Sequence, residues 1–257
     1  MHPPIIRTAC YTNIGGRDYN EDTLLIVKEP PGKSPQLFAA MVADGLGGLG
    51  HGDVASSAAA KVLKDSADTL APLSTEGIER LCLEMNQAVM NEQRDGRRMK
   101  TTIAAVFFDW ETLIFAHVGD SRLYHFREDA ILYQSMDHSV SQLAVLSGEI
   151  SQEEVRFHVD RGKLLRAVGV PEEEFRADVR LSPEGLRPGD AILICSDGFW
   201  EHVQEEEMLR ALAKRRNPHA WLASMKRTMK RKRIKNQDNN TAIAIFLDKR
   251  RGAGGRV

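Results

Sequence analysis

The chain lacks any apolar run approaching the roughly 20 residues needed to cross a bilayer. Residues 1–10 also lack the basic and apolar regions of a secretory leader, so a cytoplasmic location with no membrane span is expected. Cysteine is scarce: Cys10, Cys82 and Cys195 stand alone, odd in number and without CxxC spacing. That excludes a disulfide or zinc framework and suits a reducing compartment. Net charge is nearly absent as well, with 35 Lys and Arg against 36 Asp and Glu, so bulk charge selects no partner. Internal repeats and low-complexity tracts are missing. What remains is the composition of an ordinary globular protein, long enough for one large domain.

Charge is uneven along the chain. The run 210–235 holds eleven Lys or Arg and no Asp or Glu. Such a run can grip nucleic acid or an acidic partner, with a steep salt dependence. The aromatics that would stack bases are scarce in it, however. Trp221 falls with Leu222, Met225 and Met229 at helical spacing, which reads as core packing with the basic residues on a solvated side. A nucleic-acid or acidic-partner binding module is therefore the lesser reading.

Short β-rich runs dominate, at 23–27, 37–43, 102–108, 112–118, 121–126, 131–135, 175–181, 191–195 and 241–247. Helical patterns at 53–70 and 75–94 interrupt the early strands, and two more at 204–215 and 218–232 precede the last. Strands grouped around helical pairs predict α+β layering. Ser74 and Asn217-Pro218 are helix-start signals, and Asp53 is a candidate cap. The stretch 137–169 has little strand character, with short helices expected at 140–147 and near Ser151; a long excursion of this kind often covers a site.

Carboxylates at strand edges are the informative feature. Asp44-Gly45 follows the run 37–43, Asp120 follows Gly119, Asp197-Gly198 follows 191–196, and Asp238 precedes 241–247. In antiparallel pairing the end of one strand and the start of its neighbour share an edge. A hairpin of 23–27 with 37–43 would thus gather Glu21, Asp22 and Asp44, and pairing 191–195 with 241–247 would join Asp197 to Asp238. Any one Asp-Gly fits an ordinary turn; the whole set is harder to place there. Crowded carboxylates repel and raise one another's pKa, a penalty that a hard divalent cation with oxygen ligands removes. The stretch 45–50 also contains GxGxxG after a strand and before a helix. The dinucleotide reading is set aside because a second helix, rather than a parallel strand with its acidic residue, follows the first.

Five motifs then occur in order: Arg17-Asp18-Tyr19-Asn20-Glu21-Asp22, Val42-Ala43-Asp44-Gly45-Leu46-Gly47-Gly48, Val118-Gly119-Asp120-Ser121-Arg122, Cys195-Ser196-Asp197-Gly198 and Asp238-Asn239-Asn240-Thr241. In order and spacing they resemble the metal-dependent protein phosphatases, the protein phosphatase 2C family. Asp-His-Ser at 137–139 and the run 164–169 are similar to the flap region and following strand of small bacterial serine/threonine members. The resemblance implies an αββα four-layer sandwich of the α+β class, with two antiparallel β-sheets flanked by helical pairs. It also implies a single catalytic domain over 1–257, with a core of about 8–247 and a flexible tail at 248–257. Carried over residue by residue, Asp44 bridges two Mn²⁺ or Mg²⁺ ions. The Gly45 carbonyl, Asp197 and Asp238 complete one ion's protein ligands, and Glu21 binds the other. Asp22 holds metal-bound water, Asp120 with Asp197 supports a third, weaker ion, and Arg17 grips the substrate phosphate.

The chemistry gives those roles a reason. Phosphate monoesters hydrolyse so slowly that the acceleration needed reaches about 10²¹-fold, and two adjacent cations both generate a hydroxide from bridging water near neutral pH and neutralise developing charge. A planar guanidinium matches phosphate with two parallel hydrogen bonds. Glycine at 45 and 198 is expected to let the backbone approach the metals. Phosphorylated serine or threonine proteins are the implied substrates, and a serine/threonine kinase the opposing partner. A silent phosphatase-like scaffold is the other reading, against which every proposed ligand is present. Arg122 is expected to anchor the sheet by a salt bridge, and His138 and His158 to be structural rather than proton donors to the leaving oxygen.

Overall fold

The computed structural model describes residues 5–28, 37–46, 50–94, 98–109, 111–214 and 217–249. Within these, β1 (Ile5–Asn13), β12 (Asn240–Asp248), β11 (Ala191–Cys195), β8 (Arg122–Arg127) and β9 (Ala130–Gln134) form one antiparallel sheet in that spatial order. A second antiparallel sheet runs β10 (Asp178–Leu181), β7 (Leu113–Val118), β6 (Ile103–Phe108), β3 (Phe38–Ala43) and β2 (Thr23–Lys28). A two-stranded ribbon joins β4 (Gly45–Leu46) to β5 (Lys100–Thr101).

The central strands read as continuous apolar runs because both of their faces are buried, with the two-residue period still sorting the side chains. On β3, Ala39, Met41 and Ala43 face the helices α1 (Gly52–Ser66) and α2 (Thr75–Glu92), while Phe38, Ala40 and Val42 face the opposing sheet. On β12, Ala242, Ala244 and Phe246 point toward the other helical layer, whereas Ile243, Ile245 and Leu247 meet the second sheet. Three apolar layers therefore separate four layers of structure, and the αββα sandwich holds. Phe38 and Phe108 stack at 4.6 Å between ring centroids in the middle layer.

The outer helices are α5 (Glu205–Ala213) and α6 (Pro218–Arg231). Asn217 caps α6 by accepting from Ala220 N at 2.8 Å, with proline at the first helical position, and Ser74 caps α2 from Gly77 N at 3.1 Å. Trp221, Leu222, Met225 and Met229 are buried as their spacing predicts. Asp53 is not a cap: His51 holds that position without a side-chain bond, and Asp53 sits in the first turn.

Other departures have physical causes. β1 was not among the expected strands, because of its nine residues Ala9 alone is buried and an edge strand carries little apolar period. The strand expected at 175–181 is confined to β10, since Phe175 N bonds back to Pro171 O in a turn. The strand expected after the flap is reduced to two isolated bridges, Leu164 with Ser139 and Val168 with Thr101. The excursion 138–165 contains α3 (Val140–Leu146) and a 3₁₀ turn, Glu153–Phe157, and closes at its base through the Ser139–Leu164 bridge. Residues 47–49 of the glycine-rich stretch, Arg215, and 250–257 of the expected tail lie outside the described residues.

Candidate active site

Pairing register sets the site at one end of both sheets. Thr23 lies opposite Ala43, so Glu21 and Asp22 precede β2 where Asp44 leaves β3. Cys195 lies opposite both Ala242 and Arg122, which brings Asp197, Asp238 and the Gly119-Asp120 turn to the same edge. Both hairpin expectations hold, and Arg17 joins them through its ion pair with Asp238 at 2.5 Å.

The connections beneath the carboxylates are rigid. Asp44 N donates to Thr102 Oγ1 at 2.9 Å, and Asp44 O accepts from Thr102 N and Thr101 Oγ1. Glu21 N donates to Asn239 Oδ1 at 2.8 Å, and Asn239 Nδ2 donates to Ile14 O and Tyr19 O, so one buried amide clamps the loop carrying Arg17, Glu21 and Asp22 beside Asp238. Ser196 Oγ donates to Asp22 Oδ2 at 2.8 Å and accepts from Thr241 N. Trp200 Nε1 donates to Asp120 O at 2.8 Å and holds that turn in place. Asn239 and Ser196 stood inside the quoted motifs without a role, while Thr102 and Trp200 carried no sequence signal, because their work is to bond backbone atoms remote in the chain.

Glycine at 45 and 198 also has a steric cause beside the one expected. A Cβ on Gly45 would lie 2.2 Å from Gly52 O, and one on Gly198 would lie 2.1 Å from Asn239 O. Both glycines admit close backbone contact between site loops. Gly198→Ala is accordingly expected to cost about 1–3 kcal/mol through overpacking, read as a lower urea midpoint with unchanged slope.

The electrostatics are those of confined like charges. Burial is the largest cause in each case. It raises Asp22 to about 6, with Asp238 and Glu21 adding, and Asp197 to about 7, with Glu201 and Asp238 adding. Asp44 and Asp120 are held well above the ordinary carboxylate range, Asp44 by burial and then by Asp22, Asp197 and Asp120. Asp197 thus presses on Asp44 from the opposite sheet as a like charge. Oδ1 of Asp22 and Oδ1 of Asp197 are buried without any partner. Among the described residues no three Asp, Glu, His or Cys are already gathered as a ligand set. Asp238 is engaged by Arg17, Glu21 Oε1 by Gly52 N at 2.9 Å, and Asp22 by Ser196. Each engagement puts a hydrogen-bond donor on an oxygen that a cation would otherwise neutralise. An all-oxygen donor set of crowded carboxylates with two orphaned oxygens fits a hard divalent ion.

Arg122 anchors the sheet as expected. It is 2 % exposed, grips Asp137 with two bonds of 2.8 and 2.7 Å, and stacks 3.4 Å from the Trp200 ring centroid. His138 accepts from Gly119 N at Nδ1, which leaves its proton on Nε2 facing Asp178 at 3.1 Å. With burial lowering its pKa, His138 is a neutral structural group. His158 Nδ1 accepts from Asp160 N. The far end of the excursion reaches the site: Val159, Arg161 and Gly162 share a cleft of about 410 Å³ with Arg17, Asp197 and Asp238.

A four-layer αββα sandwich with a crowd of raised carboxylates at one end of its sheets defines a class. Residues 13–247 match the family model for protein phosphatase 2C, and the chain belongs to that family. The serine/threonine phosphatase stp of Listeria innocua is 35% identical over 208 residues, covering 78% of this chain and 80% of its own. The crystal structure of the Mycobacterium tuberculosis serine/threonine phosphatase PstP/Ppp superposes with a TM-score of 0.81 at 26% identity, over 95% of this chain and 99% of that one. The catalytic domain of PstP in complex with two manganese ions gives 0.79 at 25% identity, over 95% and 99%.

Proposed function

We infer that this chain is a bacterial serine/threonine protein phosphatase, a single catalytic domain that removes phosphate from phosphoserine and phosphothreonine in proteins with the help of Mn²⁺ or Mg²⁺. The single observation that carries the reading is the meeting of Asp44 and Asp197, from opposite sheets, as crowded like charges beside the orphaned oxygens of Asp22 and Asp197. Asp44, Asp197, Asp238, Glu21 and the Gly45 carbonyl would hold two cations, and Asp120 with Asp197 a third. When bound, such cations supply an acidified water near neutral pH and neutralise the charge of an in-line displacement.

The chain's own residues position the reaction. Arg17, more than half exposed at its side chain, exchanges Asp238 for the phosphate, to which its fork gives two parallel hydrogen bonds. Asp22, oriented by Ser196, accepts a hydrogen bond from the attacking water and aims it along the line of displacement. His138 donates no proton to the leaving oxygen, because both its nitrogens are committed. The described helices include none long and apolar enough to cross a membrane. With three free cysteines, this supports a cytoplasmic setting, where a serine/threonine kinase would supply the substrates.

The test is turnover of a phosphothreonine peptide. EDTA is expected to abolish it, Mn²⁺ to restore it, and titration calorimetry to count two tight cations. Added metal at about 100 times Kd should stabilise the fold by about 2.7 kcal/mol. Undiminished turnover by verified metal-free protein sinks the reading.

A further inference from the structure

The basic run 210–235 takes no part in the chemistry above, yet it borders the site. Two clefts of about 410 Å³ flank the loop between α6 and β12. One is the site cleft, where Ile234 and Lys235 face Arg161. The other lies over α6 and is walled by Tyr11, Lys226, Arg227 and Lys230, with no acidic side chain among its described lining. Gln237 lines both, so the two clefts have that residue in common. Its backbone carbonyl accepts from Gly16 N at 2.7 Å, which ties the junction to the turn carrying Arg17, and its side-chain nitrogen has no acceptor.

Charge complementarity identifies an occupant. Lys226, Arg227, Lys230 and Lys235 are exposed, and none has a carboxylate partner among the described residues, whereas Lys232 nearby is held by Glu207 at 2.8 Å. A merely solvated helix face needs no cleft; here three cations without a carboxylate partner wall one that shares Gln237 with the site cleft. Nucleic acid fits less well, since Trp221 is fully buried and the Tyr11 ring is covered by Lys226 Nζ at 3.9 Å, leaving no stacking platform.

We propose that this groove binds an acidic segment of the phosphoprotein substrate, with the phosphoresidue at the aspartates and Asp or Glu side chains on Lys226, Arg227 and Lys230. The proposal rests on the phosphatase reading. It makes the enzyme selective for phosphoresidues flanked by acidic residues on one side.

The experiment measures kcat/KM of the full chain with Mn²⁺ on phosphothreonine peptides of equal length carrying three Glu before, three Glu after, or Gln throughout. One acidic peptide is expected to exceed the neutral one by about tenfold, with the advantage fading at high salt. The triple variant Lys226→Ala, Arg227→Ala, Lys230→Ala should equalise the peptides and leave kcat/KM on p-nitrophenyl phosphate unchanged. Reversal to Glu at the three positions should favour a Lys-flanked peptide instead. Equal rates for all peptides with normal p-nitrophenyl phosphate turnover overturn the proposal and leave the phosphatase reading standing. Competition by random single-stranded DNA at low salt assigns the face to nucleic acid and also overturns it. Failure on every phosphoester removes both readings together.

Discussion

Asp44→Asn and Asp197→Asn are each expected to lower kcat/KM on a phosphothreonine peptide by about 10³-fold or more, while raising the melting temperature of the metal-free protein. The first effect follows from removing a charge that cations need on both sheets at once. The second follows from the sign of the pKa shifts. A carboxyl whose folded pKa lies above its unfolded value binds protons more readily when folded. The fold then loses stability as pH rises from the unfolded pKa near 3.8 through the folded value, about 7 for Asp197. Metal-free wild type should therefore weaken between about pH 4 and pH 7, and Asp197→Asn should flatten that slope. Excess Mn²⁺ should reverse the ranking, because cations stabilise the wild-type carboxylates and bind the variants poorly. Differential scanning fluorimetry across pH, with EDTA or with Mn²⁺, reads the sign directly. A variant that loses activity and is also less stable without metal would place these aspartates in a structural role.

Arg122→Ala is expected to produce the largest loss of stability, about 3–5 kcal/mol, because it strands a buried charge. Asp137 is 1 % exposed at its side chain and takes both of its strong bonds from this guanidinium. The Trp200 ring loses the cation stacked on it as well. In a chain of this length the loss corresponds to a fall in melting temperature of about 10 °C. Arg122→Lys keeps the charge but not the two-pronged geometry, and should fall between. Turnover per folded molecule is expected to survive below the transition, since Arg122 is held by Asp137, Tyr124 and the Trp200 ring and does not line the cleft at the aspartates. A stable, inactive Arg122→Ala would instead place this residue in the phosphate-binding machinery.

The α+β layering and the carboxylate edge were legible in the residues themselves, for the same reason, whereas the αββα sandwich was implied only by the resemblance. Strands buried on both faces leave long apolar runs, and each run stops where the chain meets the edge, so Asp44, Asp197 and Asp238 mark strand ends without any structure. β1 was hidden because the side chains of an edge strand carry almost no pattern, and its nine backbone pairings with β12 are invisible in sequence. Gly45 and Gly198 were legible as glycine positions, but their close contact with a backbone oxygen from another loop was not.

Sequence by itself determined at which end of which strand the carboxylates stand, because apolar period and turn residues are local properties. Tertiary structure alone decided how those residues are held. Asn239 clamps the Glu21 loop, Asp44 and Asp197 meet across the two sheets, and Gln237 lines both the site cleft and a basic one. These are contacts between groups up to 225 residues apart, and their energies depend on burial and approach distance, which exist only once the two sheets have closed on one another.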